Sequence, residues 1–82
     1  MSHPTPYTYH EASNIAVQRA RKDYEVIYIV RKWIDTPDCD RNMEYYAVSG
    51  EERDEYLPET ELMCFFTPEE GWCNPDGSRF AA

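Results

Sequence analysis

The sequence predicts an α+β fold: an N-terminal helix packed on a three-stranded, mainly antiparallel sheet, with a short acidic helix between strands two and three. Three observations predict it. The capping box Thr8-x-x-Glu11 opens a stretch in which small and apolar residues recur at helical spacing. Residues 24–34 alternate so that both faces of a strand are apolar in the middle. Residues 43–49 and 61–66 read as shorter strands on either side of a second capping box, Ser49-x-x-Glu52.

Residues 1–6 hold Pro4 and Pro6 and nothing that builds a core, so 1–7 reads as a flexible arm. Residues 8–82 then form one domain. A chain of 82 residues buries only about 60–65% of its unfolded surface, which makes the core thin. The first helix covers 9–22, with Ala12, Ile15, Ala16 and either Ala20 or the stem of Arg19 on one stripe. Its basic end, Arg19, Arg21 and Lys22, suits the negative end of the helix dipole. A strand through Ile15, Val17 and Arg19 is the rival pattern, but the cap and the terminal charges favour the helix.

The strand at 24–34 has Tyr24, Val26, Tyr28 and Val30 on one face and Glu25, Ile27, Ile29, Arg31 and Trp33 on the other, the pattern of a central strand. The turn formers of 35–42 predict a loop, and 43–49 returns antiparallel. The acidic helix spans 50–57 and stops at Pro58. After the third strand, a further box at Thr67-Pro68-Glu69-Glu70 predicts one helical turn, cut short by Gly71. Asn74-Pro75-Asp76-Gly77 predicts a turn, with Phe80 as the apolar anchor of the tail.

Several chemistries fail on spacing. The longest apolar run, Val26 to Val30, is far short of the roughly 20 residues of a membrane-spanning helix. The N-terminus lacks the basic start and apolar stretch of a signal peptide, and three cysteines, an odd number, fit a reducing cytoplasm better than a Cys39–Cys73 bridge. Asp38-x-Asp40-x-Asn42-x-Glu44 begins like a calcium loop, but Met43 and Ser49 stand where its Gly and last Glu belong. Cys39, Cys64, Cys73, His3 and His10 show no zinc spacing; Cys64, mid-strand, reads as a buried thiol. A cysteine nucleophile with His10 as base lacks an orienting third group, and Glu51 with Glu55 lacks the desolvation an acid–base pair needs. Leu57-Pro58-Glu59-Thr60-Glu61 misses the Gly of a sortase signal. The expectation is no catalysis, no cofactor and no metal.

Charge is the remaining signal. Residues 1–34 carry five basic and three acidic side chains, net +2; residues 35–82 carry three basic and thirteen acidic, net −10. Glu51, Glu52, Asp54 and Glu55 fall together, with 51, 52 and 55 expected on one helical face, and Glu59, Glu61, Glu69 and Glu70 follow. Such a field attracts basic surfaces and repels phosphates and anionic lipids. The predicted partner is therefore a basic protein surface of the kind that handles nucleic acid, met by carboxylates in place of phosphates. The residues expected to bind it are Glu51, Glu52, Asp54, Glu55, Glu59, Glu69 and Glu70, flanked by Trp33, Tyr45, Tyr46 and Trp72. In size and charge the chain is similar to the small acidic inhibitors that phages carry against CRISPR and restriction systems, a likeness of type that no motif carries.

Two other readings stand beside it. An aromatic sheet face, with Phe65 and Phe66 added, would dock a housekeeping partner or a second copy as a homodimer. The basic cluster Arg19, Arg21, Lys22, Arg31 and Lys32 would bind nucleic acid, against the net charge of −8.

Overall fold

The computed structural model describes residues 6–36 and 39–79, with the side chains of 34–36 and 39–42 outside that description. It has two helices and four strands: α1 (Tyr9–Asp23), β1 (Ile27–Thr36), β2 (Cys39–Val48), α2 (Gly50–Tyr56), β3 (Glu61–Thr67) and β4 (Gly71–Cys73). The sheet is antiparallel throughout, in the order β2-β1-β3-β4. The α+β class and the central place of the first strand are as the sequence predicts; the fourth strand is additional.

Both halves of the first capping box form. The Glu11 N–H donates to Thr8 Oγ1 at 3.2 Å, and the Thr8 N–H donates to the Glu11 carboxylate at 3.3 Å. Ala12, Ala16 and Ala20 are completely buried, so α1 approaches the sheet as closely as a methyl side chain permits. Of the two candidates for the last position on the stripe, Ala20 is the buried one. Leucine at position 16 is expected to lift the helix and cost about 1–3 kcal/mol, read as a lowered urea midpoint with the helix content retained.

The helix ends on Tyr24, whose backbone is left-handed (φ 52°, ψ 52°) and whose N–H donates to the Ala20 carbonyl. The strand predicted from residue 24 therefore starts at Ile27. At the other end, the ladder of β1 and β2 runs on through Trp33↔Met43 and Ile34↔Asn42 to Thr36↔Cys39, with a register shift between Ile34 and Thr36. Most of the loop predicted at 35–42 is thus strand, because aromatic and β-branched residues on β1 outweigh the turn formers opposite them. Residues 37–38 lie outside the described residues.

The predicted single turn at Thr67 is the bend of a β3–β4 hairpin. Glu70 donates its N–H to Thr67 Oγ1 at 2.8 Å, and Gly71, at φ 81°, turns the chain back into the ladder. A Cβ on Gly71 would meet nothing within 4 Å, so Gly71→Ala isolates the backbone cost. We expect a loss of about 1–2 kcal/mol on thermal denaturation, with spectra otherwise unchanged. The turn at 74–77 is present, closed by the Gly77 N–H on the Asn74 carbonyl at 2.9 Å. Residues 1–5 of the predicted arm, and the Phe80 anchor, lie outside the described residues. Tyr7 exchanges two backbone hydrogen bonds with Tyr45 on the outer edge of β2, at 2.8 and 3.1 Å.

The core has two sides. Under α1 lie Ile27, Ile29, Ala47, Cys64 and Phe66, packed against the three alanines. On the opposite face Val30, Tyr46 and Val48 pack beneath Leu57, with Tyr28, Tyr56 and Leu62 at the margins. Ile29 pairs with Cys64 but Val30 pairs with Leu62, so Met63 is an extra residue in β3. That bulge keeps both Cys64 and Met63 toward α1 and delivers Leu62 to the other face.

Candidate protein-binding face

The acidic helix is capped as predicted. The Ser49 hydroxyl accepts the Glu52 N–H at 3.3 Å, and Glu52 accepts the Ser49 N–H at 3.0 Å. No residue within α2 is buried; the helix is held by Leu57, just past its end and 3% exposed. Thr60 closes the following turn by donating to the Leu57 carbonyl at 2.7 Å, and Arg53 donates to the Thr60 carbonyl at 3.1 Å.

This anchoring divides the carboxylates differently from the prediction. Glu51, Asp54 and Glu55 are exposed, and their spacing of three and four places them on one helical face. Glu52, expected beside Glu51 and Glu55, is turned inward. Its carboxylate meets Arg19 at 2.9 Å, and the same guanidinium donates to the Ala47 carbonyl at 3.0 Å and lies 3.7 Å from Glu25. Arg19 thereby ties α1 to β2 and to the start of α2.

Burial pushes the Glu52 carboxyl up, but the hydrogen bonds from Ser49 and Arg19 outweigh it, and its pKa is held below the ordinary 4.5. Between the lowered folded value and the unfolded one, the unfolded chain binds more protons. The contribution of Glu52 to stability is therefore complete above about pH 4.5 and is lost as pH falls through the lowered value. Glu52→Gln is expected to flatten that part of the acid limb in a denaturation series from neutral pH to about pH 3. An unchanged limb would show that other carboxylates set it.

Glu59, Glu69 and Glu70 are also exposed, and Glu61 pairs with Arg31 at 2.8 Å. The Tyr24 hydroxyl donates to Glu69 at 2.6 Å. Val48 pairs with Tyr28, and Phe66 pairs with Ile27, so the start of α2 and the β3–β4 hairpin lie at the same end of the sheet. Among the described residues, no basic side chain pairs with Glu51, Asp54, Glu55, Glu59, Glu69 or Glu70.

The aromatics do not gather into one face. Trp33, 49% exposed, lies on the α1 side of β1 with the Arg31 guanidinium 5.8 Å from its ring centre. Tyr45, on the same side of the sheet, meets Tyr9 edge-on at 5.2 Å. Tyr46 is 4% exposed on the opposite face, where burial and its hydrogen bond to Glu44 push its pKa up to about 12. Trp72 packs edge-on against Phe66 at 5.1 Å, at the other end of the α1 side.

The basic cluster is largely occupied within the molecule. Arg19 and Arg31 have the partners given above, and Arg21 lies over the Phe66 ring at 5.9 Å. Cys64 and Cys73 are buried free thiols; burial pushes the Cys64 pKa up, and Tyr9 Oη lies 3.8 Å from its sulfur. The side chain of Cys39 and residue His3 lie outside the described residues. His10 is exposed on α1. Among the described residues no three His, Cys, Asp or Glu side chains gather as a metal site would require, and no helix is long and apolar enough to cross a membrane.

One feature at the α2-start end escapes sequence reading. Tyr24, Glu25, Val26, Thr67, Pro68, Glu69 and Glu70 enclose a groove of about 360 Å³. Its two walls are more than forty residues apart in the chain, and only the pairing of β1 with β3 brings them together. No protein-family model, no curated protein and no solved structure matches the chain.

Proposed function

We propose that this is a non-catalytic acidic protein that covers a basic surface on a protein partner, of the type that handles nucleic acid. The observation that supports the reading best is the exposed face of α2. Glu51, Asp54 and Glu55 share one side of a capped helix, and among the described residues no basic side chain neutralises them. Their Cβ atoms stand about 5–6 Å apart on a fixed backbone, so little ordering is needed when Lys and Arg side chains approach. Glu59 lies in the non-helical turn just past α2, and Glu69 and Glu70 extend the negative field at the helix's starting end. The carboxylates would stand where a partner otherwise holds phosphates, as in the phage-borne inhibitors of CRISPR and restriction enzymes. Action in the cytoplasm is part of the same proposal.

Competition tests this. The chain should displace a labelled DNA duplex from its partner, and should not itself retard that duplex at about 150 mM salt. Retardation by the chain alone would favour the basic cluster of α1 instead. A second reading, docking through aromatics, is supported by Trp33 at 49% exposure. It draws nothing from Tyr46, which is in the core.

A further inference from the structure

The groove between the end of α1 and the β3–β4 hairpin carries a narrower inference, which rests on the proposed function and names what the partner inserts there. We infer that it receives one arginine side chain of the partner protein. Val26, Thr67 and Pro68 are half-buried and form its inner lining, while Tyr24, Glu69 and Glu70 are exposed at its rim. An apolar lining with charge at the mouth matches a side chain with an aliphatic stem and a cationic head. The volume of about 360 Å³ is at the small end for ligand sites, suited to one extended side chain.

Arginine fits better than lysine. The Tyr24 ring, 65% exposed, is fixed at both ends: its backbone stops α1 in the left-handed conformation, and its hydroxyl is held by Glu69. A planar guanidinium can lie on that ring and still reach two carboxylates with its fork of donors. Glu25, Glu69 and Glu70 supply the carboxylates, and Arg19, at 3.7 Å from Glu25, engages only the first of them. Tyr24 is the one residue other than glycine with positive φ among the described residues, so the backbone holds an unfavourable conformation where the ring forms this rim.

The test is a titration of the isotope-labelled chain with Nα-acetyl-arginine amide and, separately, with its neutral isostere Nα-acetyl-citrulline amide. We expect saturable amide shifts confined to residues 24–26 and 67–70 with the arginine probe and none with citrulline. Glu70→Gln, whose side chain has no ion-pair partner among the described residues, should weaken the probe about two- to fivefold with the rest of the spectrum unchanged. Tyr24→Leu should weaken it at least as much, and Tyr24→Phe, which keeps the ring but loses its bond to Glu69, should weaken it less than Tyr24→Leu does. Shifts centred on Glu51, Asp54 and Glu55 would overturn the groove assignment and leave the basic-partner reading standing. Equal response to citrulline, or none to arginine, would also overturn it. The DNA-displacement experiment on the whole partner decides the broader reading separately.

Discussion

Reversing charge at Glu51, Asp54 and Glu55 together, each to Lys, is expected to weaken partner binding by about a hundredfold or more without unfolding the chain. The formal net charge moves from −8 to −2, and the face that opposed basic groups becomes basic itself. The fold should survive because all three side chains are exposed and none takes part in the cap. Glu52 is deliberately absent from the set. It caps α2 and holds Arg19, so reversing it would confuse a folding defect with a binding one. The result is read as the dissociation constant for the captured partner, with circular dichroism and the melting temperature as controls. Normal binding by the triple variant would reduce the acidic face to a solubilising surface and make Trp33 the next residue to replace.

Replacing Ile29 by Ala is expected to cost about 2–5 kcal/mol. Ile29 is fully buried in the central strand, between Ala47 on one neighbour and Cys64 on the other, beneath the alanine stripe of α1. The surroundings cannot collapse onto the space left behind, because backbone ladders hold both flanks and α1 already packs as closely as alanine allows. A domain of this size has roughly 4–12 kcal/mol in all, so the variant should melt at least about 10 °C lower or be partly unfolded at room temperature. Thermal denaturation by circular dichroism measures it. A loss under about 1 kcal/mol would mean that α1 can settle onto the sheet, contrary to the close packing described.

The legible parts of this fold were those whose signals are local. The capping boxes at Thr8 and Ser49 formed with the predicted partners, and the alternation from Ile27 to Val30 placed β1 at the centre of the sheet. What escaped depended on partners distant in sequence. Thr67-Pro68-Glu69-Glu70 has the local chemistry of a helix start, but pairing with Phe65 and Phe66 pulls Cys73 and Trp72 into a fourth strand. Asp35 through Asn42 is rich in turn formers, yet the ladder of β1 extends through most of it.

The candidate site was readable as a set of acids and not as a surface. Sequence spacing grouped 51 and 55 correctly but could not show that Arg19, on another helix, would draw Glu52 inward. It also placed Tyr46 among binding aromatics; β2 turns it beneath Leu57 instead. The groove beside Tyr24 carries no local motif at all, because its two walls belong to separate segments joined by the sheet.

Whether the acidic face covers a basic partner is decided by capturing partners from the source cell at about 50 and 500 mM salt, with and without added DNA duplex. The protein retained at low salt should be a basic, nucleic-acid-handling one, released both by high salt and by the duplex. A partner that stays bound at high salt and is indifferent to DNA would contradict it.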